Sequence, residues 1–188
     1  MKGFPVDKRR IVAQNKYENV HKELLEVGSK LLSNERLTDI SLNSISEYTN
    51  ISKTTIYEHF DSSFNNFLSQ VIEHSWKKIK LIYNDKLSNN PTENILTIFG
   101  TWHEYNQKNI LLTRNIYASY ILFADTHYFP VLEILVDIDN ELKKIKHNEK
   151  NTYELFRIFY VRIDEIIVNP NIKNEDKLLK ELENYLKA

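Results

Sequence analysis

The sequence predicts an all-α fold, and two observations carry that prediction. The chain of 188 residues has only three glycines and four prolines, so it offers few of the turns that a sheet needs. Apolar residues also recur at intervals of three and four, as on the buried face of an amphipathic helix. Two such stripes are Val20, Leu24, Val27 and Leu31, and Phe64, Phe67, Leu68, Val71 and Ile72.

Breaks in this pattern divide the chain into about nine helices, of which we expect the first three to be short. The breaks fall near residues 34–41, 49–51, 61–63, 87–91, 107–109, 124–130, 147–150 and 169–174. We expect three parts: a basic N-terminal extension over residues 1–19, a small head over residues 20–63 and a larger body over residues 64–188. The body holds 17 of the 22 aromatic residues.

Charge is distributed unevenly along a chain whose net charge is only −1. The first sixteen residues have a single carboxylate, Asp7, and five cations, which are Lys2, Lys8, Arg9, Arg10 and Lys16. A basic segment of this kind can reach DNA phosphates or a minor groove. It can equally be a solvated, disordered start, and the sequence leaves both interpretations open.

Two short helices joined by a tight turn are predicted over residues 41–60. Ser41 can cap the first helix, whose buried side includes Leu42 and Ile45. Asn50 is expected to take the left-handed conformation in the turn, because asparagine tolerates a positive φ better than most residues. The pattern is typical of a helix-turn-helix.

The second of these helices has a buried face and a polar face. Ser52 can cap it, and Ile56 and Phe60 share one face at a spacing of four residues. The helix then exposes Lys53, Thr54, Thr55, Tyr57, Glu58 and His59. Short polar groups, a cation and aromatic rings suit contacts with phosphates and base edges.

Residues 51–60, with the sequence ISKTTIYEHF, resemble the turn and recognition helix of the tetracycline-repressor (TetR) family, V-S-(K)-x-T-L-Y-x-(Y/H)-F, in which the lysine is optional. The preceding ISEYTN is similar to the family's I-A-x-x-A-G, with Thr49 and Asn50 in place of alanine and glycine. Upstream, Leu24, Gly28, Leu31 and Leu32 are similar to the core pattern of the family's first helix. The resemblance covers residues 20–72, and beyond them only the helical layout and the length match.

The resemblance implies DNA contacts for individual residues. Lys53 is implied to contact a backbone phosphate, Thr55 and Tyr57 a phosphate or sugar, and Thr54 a base edge. The complete set of implied DNA-binding residues is Ser41, Ser44, Ser52, Lys53, Thr54, Thr55, Tyr57 and His59. The family has a lysine where this chain has Ser63, so one phosphate contact of the family is absent.

The body resembles the regulatory domain of such proteins in architecture only. That domain encloses a ligand cavity, so the resemblance implies a small apolar or aromatic ligand, although the same side chains can form an ordinary core. The candidate ligand-binding residues are Trp76, Phe99, Trp102, Tyr105, Tyr117, Tyr120, Phe123 and Phe156. Candidate polar groups beside them are His74, His103, Glu104, Arg114, Asp125 and His127.

The last two helices carry the prediction of a homodimer. Residues 153–168 are apolar around most of the helix circumference, so this helix needs neighbours on two sides. The final stretch adds Leu178, Leu179, Leu182, Tyr185 and Leu186 at helical spacing. In the TetR family the final two helices of each subunit form an isologous four-helix interface, which implies the same arrangement here.

The sequence favours a cytoplasmic regulator over an enzyme. It lacks cysteine, the HExxH motif and glycine-rich nucleotide motifs, and no cofactor, metal site or membrane partner is expected. The resemblance implies a ligand-responsive repressor that binds a palindromic double-stranded DNA operator as a homodimer. The alternative is an interaction module whose head docks a protein instead of DNA, and it is motivated by Ser63 and by the near-neutral charge of residues 1–60, which have nine Lys or Arg and eight Asp or Glu.

Overall fold

The protein is helical throughout the part that the computed structural model describes, which comprises residues 8–122, 131–145, 154–155, 157–158 and 175–187. This part contains eight α-helices, one short 3-10 helix and no strand, which confirms the all-α prediction. The helices are α1 (Lys8–Asn34), η1 (Leu37–Asp39), α2 (Leu42–Thr49), α3 (Lys53–His59), α4 (Phe64–Asn84), α5 (Pro91–Lys108), α6 (Ile110–Leu122), α7 (Val131–Lys144) and α8 (Glu175–Lys187). The helix predicted over residues 153–168 lies mostly outside the described residues.

The first helix is much longer than the sequence pattern predicted. α1 has 27 residues and begins at Lys8, so residues 8–19 belong to the helix instead of forming a separate extension. All of residues 8–19 are exposed, and burial begins near Val20. The prediction of a short first helix was wrong, because apolar periodicity marks only the packed portion of a helix and the solvated turns lack it.

A hydrophobic core joins α1, α2 and α3 to the first half of α4. Ile45, Ile56 and Phe60 are completely buried in it, as the spacing of these residues predicted. The same cluster contains Leu24, Leu31, Leu32, Leu37, Ile40, Leu42, Phe67, Leu68, Val71 and Leu112. α4 therefore anchors the head with its N-terminal half.

Gly28 allows α1 to pack closely against α4. A Cβ atom at this position would lie 2.5 Å from Val71 Cγ2 and 2.7 Å from Phe67 Cζ. Both neighbours are completely buried, so neither side chain can move aside into solvent. Glycine is thus required here by the close approach of two helices.

Gly28→Ala is expected to destabilise the protein by about 1–3 kcal/mol, because the added methyl group overpacks the head core. Gly100→Ala is the matched control, since Gly100 also lies inside a helix but its Cβ would have no neighbour closer than 3.7 Å. That control is expected to be neutral or to stabilise by up to about 1 kcal/mol through helix propensity. Urea unfolding of both variants measures the difference, and equal stabilities would contradict the close packing at Gly28.

Asn115 of α6 links the body to the end of α1. Its Nδ2 donates to the carbonyls of Leu32, at 2.8 Å, and Glu35, at 2.7 Å. Its Oδ1 accepts a hydrogen bond from the backbone N–H of Leu37 at 3.1 Å. The last carbonyls of a helix have no intrahelical partner. The buried side chain of Asn115 therefore provides hydrogen-bond partners for backbone groups at and just after the end of α1.

A second hydrophobic core fills the body. It combines the C-terminal half of α4 with α5, α7 and α8, and Leu182 of α8 is completely buried there. Its remaining buried members are Ile72, Trp76, Ile79, Tyr83, Ile95, Ile98, Phe99, Trp102, Ile134, Ile138, Leu142, Leu155 and Leu186. Because α4 contributes to both cores, it connects the head and the body directly. None of the helices in the described ranges combines the length and apolarity needed to cross a bilayer.

Candidate nucleic-acid interface

α2 begins with a reciprocal hydrogen-bonded cap. Ser41 Oγ accepts from the backbone N–H of Ser44 at 3.2 Å, and Ser44 Oγ accepts from the backbone N–H of Ser41 at 2.9 Å. Ser41 and Ser44, two of the three serines in the predicted DNA-binding set, therefore fix the start of α2. Such a capping box satisfies two backbone donors that a helix start would otherwise leave unpaired.

The turn between α2 and α3 has the geometry that the sequence predicted. Asn50 has a φ of 57° and ends α2 in the left-handed conformation, which confirms its predicted role. Ser46 Oγ donates to the carbonyl of Ile51 at 2.7 Å, and Thr49 Oγ1 accepts from the N–H of Ile51 at 3.2 Å. These side-chain bonds hold the turn and so fix the direction in which α3 leaves it.

α3 presents its first residues to solvent. Ser52 caps it by accepting from the N–H of Thr55 at 3.2 Å, and the two hydroxyl groups lie 2.9 Å apart. Lys53 and Thr54 are exposed, and no carboxylate in the described part of the chain lies within ion-pair distance of Lys53. The ammonium group of Lys53 and the exposed hydroxyl of Thr54 thus lie at the start of α3.

Tyr57 lies on the side of α3 that faces the start of α2. Its ring is half-buried against the head core, and its hydroxyl donates to Asn43 Oδ1 at 3.4 Å. The hydroxyl remains close to solvent, because both partners of this bond are exposed there. Of the predicted set, Lys53, Thr54 and Tyr57 are therefore the α3 residues with polar groups at or close to solvent.

His59 departs from the prediction of a DNA-surface residue. Its side chain is only 6% exposed and stacks on the ring of Tyr17, with the centroids 4.1 Å apart. Its Nδ1 lies 3.1 Å from Nδ1 of His21. Because Tyr17 and His21 of α1 cover the ring, we remove His59 from the set of DNA-contacting residues.

The two histidines share one hydrogen bond, so at most one of the facing nitrogens carries the proton. Burial lowers the pKa of His59 below its ordinary value, and a charged His21 would lower it further. The neighbouring Glu58 acts in the opposite direction on the same pKa. The neutral imidazole of His59 is therefore the form that the folded head favours.

Stability is expected to fall as the pH drops below the ordinary histidine pKa of about 6.5. The unfolded chain binds a proton at His59 more readily than the folded chain does, so protonation favours unfolding. The stability that neutral His59 contributes is fully present above a pH of about 6.5, and it is lost as the pH falls through the lowered pKa of His59 in the folded state. Urea unfolding at pH of about 7.5 and about 5.5 should show a smaller pH effect for His59→Phe than for the wild type. Equal pH effects would contradict this assignment.

Ser63 caps α4 where the TetR pattern has a lysine. Its hydroxyl accepts from the backbone N–H of Asn66 at 3.2 Å. Asn66 in turn donates through Nδ2 to Asp61 Oδ2 at 3.0 Å. The α3–α4 connection thus gains a local hydrogen-bonded cap and carries no cation at this position.

The described members of the predicted ligand-binding set lie in or beside the body core. Trp76, Phe99 and Trp102 are buried in it, and Tyr105 and Tyr117 are partly buried against it. Burial raises the pKa of the Tyr105 hydroxyl, and Glu26 adds to this effect. The side chain of Tyr120, together with Phe123 and Phe156, lies outside the described residues. The structure thus brings five of the eight residues into one aromatic-rich cluster.

The predicted polar groups of the body do not converge on one site. His74 Nε2 lies 3.0 Å from Glu26 Oε1, which links α4 to α1. Lys78 binds the same carboxylate, and its hydrogen bond holds the pKa of Glu26 below the usual range.

His103 is buried, while Glu104 pairs with the exposed Lys108 and Arg114 is exposed. Asp125 and His127 lie outside the described residues. No group of three potential metal ligands occurs among the described residues.

The charges of the head and of the start of α1 have opposite signs. Residues 20–63 contain four Lys or Arg against seven Asp or Glu, a net charge of −3. Residues 8–16 contain Lys8, Arg9, Arg10 and Lys16 and no carboxylate, a net charge of +4. The positive potential of this end of the molecule therefore originates in the solvated start of α1.

No protein-family model matches the chain, and no curated protein matches it significantly. The described part of the chain is all-α, and its helices α2 and α3 form a capped two-helix segment with a polar face. Its function has to be inferred from the site.

Proposed function

We propose that the protein is a helix-turn-helix DNA-binding transcriptional regulator of the TetR type. The α2–α3 segment carries the proposal: a left-handed Asn50 turn precedes a short helix that buries Ile56 and exposes Lys53 and Thr54. Such a pair of helices is suited to place its second helix in the major groove. Thr54 lies on the side of α3 opposite Ile56, and Lys53 lies in the first turn of the helix.

Individual contacts follow from the chemistry of this surface. Lys53 binds a backbone phosphate, Thr54 reaches a base edge, and Tyr57 contacts a phosphate or sugar with its hydroxyl. Ser41 and Ser44 hold the start of α2, where the peptide N–H groups favour a nearby phosphate. The serines therefore act through the backbone that they fix, since their hydroxyl groups are engaged in the cap.

The regulator acts as a homodimer that uses its last two helices as the interface. In a helix-turn-helix dimer the two recognition helices occupy successive major grooves about 34–36 Å apart, so the operator is palindromic. Leu182 and Leu186 of α8 already pack against the body of their own chain. We therefore propose that the remaining face of α8 and residues 153–168 form the dimer interface.

A small apolar or aromatic ligand in the body controls DNA affinity. The aromatic cluster supports this proposal, as does the indole N–H of Trp76, a buried donor without a hydrogen-bond partner in the described part of the chain. Such a donor favours a ligand that carries a carbonyl or another acceptor. The ligand relieves repression only if it binds better to a state with a different spacing of the heads. α4, which spans both cores, is the element suited to transmit that change.

Lys53→Ala is expected to weaken binding to duplex DNA of any sequence and to lower the magnitude of the salt slope by about 1. The lost interaction is one lysine–phosphate contact, so the effect is largely independent of sequence. Lys30→Ala is the matched control, because Lys30 is an exposed lysine of the head that is not part of the proposed surface. Titration of labelled duplex between about 50 and about 200 mM salt measures both slopes. Unchanged binding by Lys53→Ala would remove α3 from the DNA interface.

A protein-docking head is the second candidate, and one observation favours it. Residues 20–63 carry a net charge of −3, which disfavours contact with phosphates and suits a basic protein partner. This alternative predicts no salt-dependent binding to duplex DNA even at low ionic strength. The same titration therefore decides between the two functions.

A further inference from the structure

We propose that Tyr17 and His21 of α1 are positioning residues for α3, and that a second proton on the His21–His59 pair releases α3 and lowers the affinity for DNA. This inference rests on the proposed function and names a form of regulation for the same site. Its basis is a set of three rings where α1 meets the end of α3. Tyr17, His21 and His59 form what we term the ring clasp.

The ring clasp joins α1 to the last residue of α3. The rings of Tyr17 and His59 stack with their centroids 4.1 Å apart and an interplanar angle of 22°. The Nδ1 atoms of His21 and His59 lie 3.1 Å apart. Because His59 is buried, its ring cannot turn towards water without leaving both partners. Ser52 caps the start of α3, so the ring clasp holds the end of the helix that the cap does not reach.

The short distance between the two Nδ1 atoms restricts the protonation of the pair. A hydrogen bond between two imidazole nitrogens needs one N–H donor and one lone pair, so the neutral pair has its protons on Nδ1 of one ring and on Nε2 of the other. A first added proton binds the free Nε2 of the donor ring and leaves the bond intact. A second added proton places an N–H on both facing nitrogens, so two donors and two like charges oppose each other.

The surroundings of the pair disfavour the doubly charged state. Titratable groups next to the pair, by contact or by helical spacing, are Tyr17 and Glu18 of α1 and Glu58 of α3. Burial is the main cause that lowers the pKa of His59, and a charged His21 adds to it, while Glu58 acts in the opposite direction. Towards α4 the pair is backed by the apolar rings of Phe60 and Phe67. The second proton therefore binds only at a pH below the ordinary histidine range.

Opening of the ring clasp loosens α3 while its core residues stay in place. Ile56 and Phe60 are completely buried and hold the helix to the head core. A helix of seven residues has little stability of its own, so its orientation depends on its contacts. Lys53 and Thr54 must meet phosphates and base edges at fixed positions, and a loosened α3 therefore binds DNA less tightly.

Long-range 1H–15N NMR of the imidazole rings tests the pair without DNA. At a pH of about 7.5 we expect one of the two histidines to be the Nδ1–H tautomer and the other the Nε2–H tautomer. His21→Phe and His59→Phe assign the signals. Two histidines that are both Nε2–H tautomers and titrate independently near a pH of about 6.5 would overturn the inference.

Titration of labelled duplex at pH values of about 7.5, about 6.5 and about 5.5 tests the regulation. Below the pH at which the second proton binds, the affinity of the wild type is expected to fall, relative to His59→Phe, by about tenfold per pH unit. His74→Gln is the matched control, because His74 pairs with Glu26 and is not part of the ring clasp, and its pH profile should equal that of the wild type.

A second pair of variants tests the positioning role of Tyr17 at constant pH. Tyr17→Leu removes the ring that stacks on His59 and is expected to weaken binding to duplex DNA at a pH of about 7.5. Tyr17→Phe retains the stacked ring and should bind like the wild type. Equal affinities of Tyr17→Leu and Tyr17→Phe would contradict the positioning role.

Failure of the ring clasp and failure of the proposed function give different results. If the wild type binds duplex with the same pH profile as His59→Phe, the regulation is wrong while the proposed function stands. If the wild type binds no duplex at any of these pH values, the proposed function and the regulation both fail, and the tautomers report on the histidine pair separately.

Discussion

Asn115→Ala is expected to lower the free energy of unfolding by roughly 2–5 kcal/mol. The substitution removes the partners of three backbone groups at once, the carbonyls of Leu32 and Glu35 and the N–H of Leu37. An unsatisfied buried polar group costs about 1–3 kcal/mol, and water that enters the smaller side chain's space offsets part of the loss. Asn115 is therefore expected to be among the most sensitive polar positions of the described chain.

Two further variants separate hydrogen bonding from general perturbation. Asn115→Asp keeps an acceptor for Leu37 but places a carboxylate oxygen against two carbonyls, so it is expected to be at least as destabilising as alanine. Asn140→Ala, on the exposed side of α7, is the matched control and should change stability by less than about 0.5 kcal/mol. Urea unfolding measures all three. A loss below about 1 kcal/mol in Asn115→Ala would contradict the role of this side chain in joining body and head.

Phe60→Ala is expected to destabilise the protein by about 3–5 kcal/mol and to abolish the proposed DNA binding with it. The ring of Phe60 is completely buried and meets Phe67 edge to face, with the centroids 5.1 Å apart. It also packs against His21, so its loss opens a cavity at the point where α1, α3 and α4 meet. Without that support, α3 cannot hold its exposed residues in a fixed orientation.

The control for this variant is Tyr48→Ala on α2. Tyr48 is also an aromatic residue of the head, but it is 59% exposed. Its replacement is expected to change stability by less than about 0.5 kcal/mol, because surface substitutions away from special features have small effects. Thermal and urea unfolding of both variants provide the comparison. Similar losses in the two variants would mean that the ring of Phe60 is not a central part of the head core.

The local features of the candidate site could be predicted from the sequence because they depend on neighbours along the chain. The caps at Ser41 and Ser52 follow from side chains that bond three residues along the chain, and the left-handed Asn50 follows from the tolerance of asparagine for a positive φ. The buried positions of Ile56 and Phe60 follow from helical periodicity. These features were all found where the pattern placed them.

The features that the sequence did not predict arise between distant segments. His21 and His59 are 38 residues apart, and nothing near either one indicates that their rings meet. Asn115 lies 83 residues from Leu32, and nothing in the sequence distinguishes it from the neighbouring polar residues Thr113 and Arg114 of α6. Such contacts depend on how helices pack, which periodicity alone does not determine. The exposed start of α1 was missed for a related reason, since a helix without a buried face has no apolar stripe.

The claim that α3 recognises a DNA sequence can be decided by selection from a pool of random duplexes. We expect the wild type to enrich a palindromic site with two half-sites about one helical turn apart. Lys53→Ala should bind that site more weakly, and Tyr57→Phe should lose the contribution of the tyrosine hydroxyl. Failure to enrich any sequence, even at low salt, would contradict the claim and favour a head that docks a protein.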